Sequence, residues 1–106
     1  MTGNGNAAQA KLIIMYWRDI PAQITAKAGR ANARRELSPR FQNAIDRAAM
    51  NSGAHDSDAY LDGWRKGTPT SCGADLESIV QQAAARIEQE YDAERLARLV
   101  ASGGQG

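Results

Sequence analysis

The longest apolar run of the chain extends from Leu12 to Trp17, and it predicts the strand around which the fold is organised. The run is far shorter than the about 20 apolar residues that a helix needs to cross a bilayer. Its β-branched and aromatic side chains favour a strand covered on both faces over a buried helix. Pro21 then interrupts the pattern, because proline lacks a backbone donor and biases the preceding residue toward an extended or turn conformation.

Apolar and polar residues alternate from Ala22 to Ala28, and this period of two predicts a second strand with one covered and one solvated face. Gly29 ends this strand. We interpret the two strands as a hairpin in which the first is central and the second lies nearer an edge. At the strand end, Tyr16 and Trp17 either pack in the core or form a platform for a ligand or a partner.

Residues 30–36 contain good helix formers but no clean apolar stripe, so a helical turn and an extended connector both stay open. A helix is predicted next, because Ser38 suits the N-cap and Pro39 suits the first helical position. Residues 51–53, Asn-Ser-Gly, supply its stop. The apolar residues expected to face the sheet recur at spacings of three and four and are Phe41, Ala44, Ile45, Ala48 and Ala49.

The segment after this helix carries weaker patterns. Residues 54–58 form a polar loop that contains His55, the only histidine. Residues 59–61 together with Trp64 predict a third strand or a short covered segment, with a bend or bulge at residues 62–63. Residues 67–73 are predicted to be a loop, and an extended edge piece is the open alternative.

The strongest helical pattern begins after Asp75, the expected N-cap. Its narrow apolar stripe consists of Leu76, Ile79, Val80, Ala83, Ala84, Ile87 and Tyr91. Beyond this stripe the apolar positions move to the opposite side of the helix, at Leu96, Leu99 and Val100. We favour a break at Asp92, which can cap a new helix. The alternative is a straight helix that presents the three apolar side chains to a partner, or to a second copy in a homodimer.

These elements predict an α+β fold. The expected architecture is a two-layer sandwich, with a mostly antiparallel sheet of three or four strands and two or three helices. A chain of 106 residues is ordinarily one domain. We place this domain at residues 10–101, preceded by a flexible leader at residues 1–9 and followed by a flexible tail at residues 102–106.

Composition adds two constraints. Cys72 is the only cysteine, which excludes an intramolecular disulfide and permits a reducing, cytoplasmic setting. No secretory or membrane-spanning segment is predicted.

The net charge of +1 hides a segregation of charge along the chain. Residues 27–47 carry six basic and two acidic residues, whereas residues 75–94 carry one basic and six acidic residues. The two segments either attract each other within the fold or steer the protein toward a charged partner.

Candidate chemistry is sparse. With one histidine and one cysteine, a zinc site built mainly from those residues is not expected, and no metal or cofactor is predicted. His55 and Cys72 lie in separate loops and form a nucleophile–base pair only if the fold brings them within hydrogen-bond reach. That arrangement would suit a small enzyme subunit or a cofactor-handling protein. The segment Arg30–Arg40 offers a third function, anion or nucleic-acid binding, although the near-neutral total charge argues against nucleic acid.

Several segments resemble a small bacterial family labelled "virulence factor". They are Tyr16–Ile24, Arg35–Phe41, Ala44–Met50, Asp58–Trp64 and the pair Asp75–Leu76, and the resemblance spans roughly residues 10–102. The resemblance supplies no catalytic residues. It implies a partner among folate- or corrinoid-dependent one-carbon enzymes.

The residues and the resemblance together favour a non-enzymatic accessory or protein-interaction domain. Segregated charge, aromatic residues near strand ends and the missing catalytic set all point in this direction. The side chains expected to contact the partner are Trp17, Arg18, Arg34, Arg35, Arg40 and Trp64.

Overall fold

A computed structural model describes residues 10–54 and 56–106. Over these residues the chain forms five strands and four helices. In chain order they are β1 (Lys11–Trp17), β2 (Ile20–Ala28), β3 (Ala31–Glu36), α1 (Pro39–Asn51), α2 (Ser57–Asp62), β4 (Trp64–Lys66), β5 (Thr70–Ser71), α3 (Leu76–Glu90) and α4 (Ala93–Ala101). The predicted α+β class with an antiparallel sheet is confirmed, and the structure adds short strands and a short helix to the expected elements.

The sheet has the order β3-β2-β1-β4, with β5 pairing beside β4 on β1, and every pairing is antiparallel. The predicted hairpin of β1 and β2 is therefore present. The expectation that β2 lies nearer an edge is wrong, because β3 pairs with β2 along its other side. Gly29, at a φ of +61°, permits the two-residue turn that returns residues 31–36 to the sheet as a strand.

The pairing register separates the two faces of the sheet. Leu12 lies opposite Ala26 and Ile14 opposite Ile24, and α3 packs over this face with Ala83 and Ile87. On the other face, Ile13 lies opposite Thr25 and Met15 opposite Gln23. A bulge at Ala22 interrupts the register between Met15 and Tyr16.

The first helix follows its predicted bounds. Ser38 occupies the N-cap position, Pro39 begins α1, and Gly53 follows the helix end at a φ of +75°. All five residues of the predicted apolar stripe are buried. The Ser38 hydroxyl does not cap its own helix; it donates instead to Glu88 of α3.

Residues 59–61 form part of a helix, so of the two predicted alternatives the strand is wrong at these residues, while Ala59 and Tyr60 pack against the core as a short covered segment would. Asp56 caps α2 by accepting a hydrogen bond from the backbone N–H of Ala59 at 3.0 Å. Ala59 and Tyr60 then face the core while Leu61 is 64% exposed. The strand predicted here begins only at Trp64, after the helix has ended at Gly63.

The break between the last two helices is confirmed. The Asp75 side chain caps α3 by accepting a hydrogen bond from the Ser78 backbone N–H at 3.2 Å. The Asp92 side chain caps α4 by accepting one from the Arg95 backbone N–H at 2.8 Å. The new direction of α4 buries Leu96, Leu99 and Val100 in the core. The straight helix with an exposed apolar face is therefore wrong, and these side chains are not available to a homodimer. In the described part of the chain, no helix combines the length and apolar character required to span a bilayer.

Residues 102–106 contact the turn between β1 and β2. The Gly104 carbonyl oxygen accepts from the Asp19 backbone N–H at 2.8 Å, and Gly103 and Gly104 are buried. A flexible tail was predicted for this segment, whereas the structure places it against the body of the fold. The predicted leader, residues 1–9, lies outside the described residues, and the domain limits stay a prediction.

Candidate functional site

Trp17 belongs to the core. Its side chain is fully buried, its indole Nε1 donates to the Tyr60 carbonyl oxygen at 2.7 Å, and its ring stacks on Tyr60 at 5.8 Å between centroids. Gly63 is required beside it, because a Cβ at that position would lie 2.5 Å from Nε1. Trp17, which the sequence analysis predicts to contact a partner, therefore anchors α2 to the end of β1.

Arg18 holds the turn after β1. It adopts a φ of +54°, in the left-handed region that residues other than glycine rarely occupy. Its backbone N–H donates to Gly63 at 2.7 Å, its Nη1 donates to Gly103 at 2.8 Å, and its guanidinium lies 4.7 Å from the centre of the Trp17 ring. These contacts tie three segments together and leave Arg18 half-buried.

Arg40 joins α1 to α3. Its Nη2 contacts the Glu88 carboxylate at 3.1 Å, and Nη1 and Nη2 donate to the carbonyl oxygens of Tyr91 and Glu88 at 2.6 Å each. Partial burial acts to raise the pKa of Glu88, but hydrogen bonds from the Ser38 backbone and hydroxyl, together with Arg40, hold that pKa below its usual value. The basic segment (residues 27–47) and the acidic segment (residues 75–94) are thus joined within the fold by the ion pair between Arg40 and Glu88.

The remaining predicted contact residues lie elsewhere. Arg34 and Arg35 are exposed on β3, and Trp64 is half-buried, edge-on to Tyr60 at 5.9 Å between centroids. The six side chains expected to contact a partner are therefore distributed over the core, the turn after β1, an interhelical ion pair and two strands of the sheet.

A different set of side chains converges on a cleft of about 750 Å³, which we call the Tyr–Arg cleft. Tyr16 enters it from the end of β1 and Arg65 from β4. Tyr91 enters from the junction between α3 and α4, and Arg95 and Arg98 enter from α4. The helix break at Asp92 creates this arrangement, because it turns one face of α4 toward the core and leaves its arginines beside the strand end.

Two guanidinium groups of the cleft lie on tyrosine rings. Arg65 lies 4.5 Å from the centre of the Tyr16 ring, and Arg95 lies 3.9 Å from that of Tyr91. Arg65 is further fixed by a hydrogen bond to the Arg18 carbonyl oxygen at 2.8 Å and by an ion pair with Asp19 at 3.0 Å. The aromatic rings therefore hold both cations in defined positions, and the Arg18 carbonyl and Asp19 further fix Arg65.

The cleft carries an excess of positive charge. Asp19 offsets Arg65 and also accepts from the Gly106 backbone N–H at 2.7 Å. Arg98 has only a long, exposed contact with Glu94 at 3.7 Å, which contributes little. Among the described residues, no carboxylate pairs with Arg95.

Tyr91 adds a neutral hydrogen-bonding group to the cleft. Partial burial raises the pKa of Tyr91 above its usual value, and the nearby Arg95 only partly opposes this effect. Its hydroxyl is therefore protonated at neutral pH. Planar guanidinium forks beside a neutral phenol suit a carboxylate or phosphate ligand.

The sequence indicated only one side of this cleft. Tyr16 was expected either in the core or on a platform at the strand end, and the structure places it at the cleft wall. The sequence pattern does not predict Arg65, Arg95 or Arg98 as site residues. Their signal was the predicted break at Asp92, because a separate α4 with a buried apolar face leaves Arg95 and Arg98, three positions apart, on its exposed face.

The histidine–cysteine hypothesis stays a prediction. His55 lies outside the described residues, and Cys72 is half-buried, with its backbone N–H donating to Ala10 at 3.1 Å. Across residues 10–54 and 56–106, no three histidine, cysteine or carboxylate side chains are grouped closely enough to hold a metal ion.

The fold and the cleft define a small α+β domain with a cationic, tyrosine-lined recess. A family model described as Virulence factor matches residues 15–100, which is most of the chain. The chain belongs to this family, and the resemblance seen in its sequence segments is confirmed. No curated protein and no solved structure matches the chain significantly.

Proposed function

We propose that this member of the Virulence factor family is a non-enzymatic interaction domain that binds an anionic group of its partner in the Tyr–Arg cleft. The observation that supports this function is the convergence of Arg65, Arg95 and Arg98 beside two tyrosine rings. A recess of about 750 Å³ is large enough for a small anionic ligand or for an acidic side chain with its neighbours.

The chemistry of the cleft suits binding better than proton transfer. Guanidinium groups stay protonated throughout the physiological pH range. The raised pKa of Tyr91 keeps its hydroxyl neutral, and Asp19 is engaged by Arg65 and by the Gly106 backbone. The guanidinium groups recognise negative charge, and the neutral Tyr91 hydroxyl can donate a hydrogen bond to it.

The proposed partner is a cytoplasmic folate- or corrinoid-dependent one-carbon enzyme. The family resemblance suggests this class of partner, and the single cysteine is compatible with a reducing compartment. Folates carry carboxylates and corrinoids carry a phosphate, so either cofactor class, or an acidic surface of the enzyme, matches the charge of the cleft.

Affinity capture with charge-reversed variants tests this proposal. The double variant Arg95→Glu/Arg98→Glu reverses two cleft charges, whereas Arg30→Glu/Arg47→Glu makes the same change at exposed positions away from the cleft. Tagged wild-type protein and the control variant should retain a stoichiometric one-carbon enzyme, and the cleft variant should lose it. Equal retention or equal loss in both variants would contradict the proposed site.

Small anions separate the site from the identity of the partner. Inorganic phosphate and succinate are added in turn to ¹⁵N-labelled protein, and the side-chain Nε–H signals of Arg65, Arg95 and Arg98 are recorded. Selective shifts of these signals would support anion binding in the cleft even if no one-carbon enzyme is captured. Shifts spread evenly over all exposed arginines would argue against a defined anion site.

A further inference from the structure

β3 forms one edge of the sheet and pairs only with β2 among the described strands. It is six residues long, and all of its residues except Ala33 are exposed. An edge strand of this length offers a row of backbone donors and acceptors to another extended segment. The side chains of β3 show which segment would fit.

The hydrogen-bond phase identifies the outward-facing backbone groups. The Leu37 N–H donates to the Ala22 carbonyl oxygen at 3.0 Å, which continues the register of the β2–β3 ladder. Bonded pairs alternate along an antiparallel ladder, so Ala33 and Arg35 also direct their backbone groups toward β2. Asn32, Arg34 and Glu36 consequently direct their N–H and C=O groups away from β2, toward the open edge.

The charges at this edge favour an acidic occupant. Arg34 and Arg35 are consecutive in a strand, so they project from opposite faces of the sheet. Neither has an ion-pair partner among the described residues. On the face that carries Arg34, a shallow groove of about 450 Å³ has Ile13 and Met15 in its floor and Lys27 and Lys66 around it.

A second copy of the chain meets like charges when it pairs about either of the two arginines. Two-fold antiparallel pairing centred on Arg34 or on Arg35 would place two guanidiniums directly opposite each other, which is destabilising. Acidic residues on a different segment would remove that repulsion and would meet the unpaired charges.

We propose that β3 binds an extended acidic peptide segment of a partner protein as an additional antiparallel strand. The backbone of that segment bonds to Asn32, Arg34 and Glu36. Two consecutive acidic side chains, which necessarily point to opposite faces, pair with Arg34 and Arg35. This site is separate from the Tyr–Arg cleft and does not depend on the function proposed for it.

Binding of short end-blocked peptides tests strand addition directly. The probe has the sequence Thr-Val-Glu-Glu-Val-Thr, and its controls are the Thr-Val-Lys-Lys-Val-Thr peptide and the acidic peptide N-methylated at alternate residues. N-methylation keeps the charge but removes the donors that strand pairing needs. We expect the acidic peptide to bind at least tenfold more tightly than either control. Hydrogen exchange should slow at Asn32, Arg34 and Glu36.

Variants locate the peptide on the sheet. The double variant Arg34→Glu/Arg35→Glu should weaken binding of the acidic peptide at least tenfold. The control Arg47→Glu/Arg86→Glu makes the same charge change on helices and should leave the peptide affinity unaltered. Arg95→Glu/Arg98→Glu should also bind the peptide as the wild type does, which separates this site from the cleft. Circular dichroism verifies that each variant is folded, and the N-methylated peptide tests the proposal without any variant.

Three results would overturn the proposal. The first is equal binding of the N-methylated and unmodified acidic peptides, because simple charge attraction would then suffice. The second is that the wild type binds an oligo-dT strand tightly but does not bind the acidic peptide, and that Arg34→Glu/Arg35→Glu abolishes the oligo-dT binding. This result would assign the edge to nucleic acid. The third is a dimer in sedimentation experiments whose β3 amides are protected without peptide, which would assign the edge to a second copy.

Discussion

Replacing Glu88 removes the carboxylate that joins the start of α1 to the end of α3. Its Oε2 accepts from the Ser38 backbone N–H at 2.7 Å, and its Oε1 accepts from the Ser38 hydroxyl at 2.8 Å and from Arg40 Nη2 at 3.1 Å. In Glu88→Ala the backbone N–H and the hydroxyl of the N-cap residue Ser38 lose their acceptor, and the Arg40 guanidinium loses its ion-pair partner while keeping its bonds to two backbone carbonyls.

The expected loss follows from these contacts. Hydrogen bonds to a charged group contribute about 1.5–3 kcal/mol each. The Glu88 and Arg40 side chains are 30% and 37% exposed, so water replaces part of what is removed. We therefore expect Glu88→Ala to lower the free energy of unfolding by about 2–3 kcal/mol, and Tm by roughly 10–20 °C.

The pH dependence gives a second, independent readout. Because the folded-state pKa of Glu88 is lowered, its stabilising contribution is complete above the usual glutamate pKa of about 4.3 and is lost as the pH falls through the folded value. Glu88→Gln should therefore be less stable than the wild type at pH 7. The difference should shrink as the pH falls below the usual glutamate pKa of about 4.3 and through the lowered pKa of Glu88 in the folded protein, where the wild-type side chain becomes neutral as well.

Urea unfolding followed by tryptophan fluorescence and circular dichroism measures both effects. Glu90→Ala is the matched control, since Glu90 is an exposed residue in the last turn of the same helix. A loss below about 0.5 kcal/mol in Glu88→Ala, the range of an ordinary surface substitution, would refute the reasoning. So would a difference between wild type and Glu88→Gln that does not change between pH 7 and pH 3.

Three further predictions concern the helix break, the cleft and the last glycines. Asp92→Ala should lose about 1 kcal/mol of stability in thermal unfolding, whereas Asp92→Asn, which keeps a capping oxygen, should lose less than about 0.5 kcal/mol. Tyr91→Phe should remove a component of the tyrosine absorbance titration that lies above about pH 10, because burial raises the pKa of Tyr91. Gly104→Ala should destabilise by about 1–3 kcal/mol, since Gly104 has a φ of +92° and a Cβ there would lie 3.0 Å from the Trp17 ring. Gly73→Ala, where the nearest atom is 3.7 Å away, should change stability by less than about 0.5 kcal/mol.

Each of these outcomes can fail in a distinct way. Equal stabilities of the two Asp92 variants would show that the cap does not set the break. Loss of a component that titrates at or below the usual tyrosine pKa would contradict the burial of Tyr91. A Gly104→Ala protein as stable as Gly73→Ala would mean that residues 102–106 do not pack tightly on the β1–β2 turn.

Local patterns in the sequence were sufficient for the main helices and for the first hairpin. The stripe from Phe41 to Ala49, the caps at Asp75 and Asp92, and the alternation in β2 all depend on residues within a few positions of each other. The shift of apolar positions beyond Tyr91 predicted the helix break, because only a break could bury both stripes in one core. The family was also recognisable from short segments.

Only the tertiary structure decided the edge of the sheet, the short helix α2 and the cleft. Residues 31–36 have no strong pattern of their own and become a strand because β2 offers a pairing edge. Residues 59–61 have an apolar pattern that suits a strand, yet the Asp56 cap begins a helix there. The cleft joins Tyr16, Arg65 and Arg95 from distant parts of the chain, and no local spacing encodes such proximity. Side-chain periodicity specifies which face is buried, whereas the position of one element on another is specified by packing across the whole core.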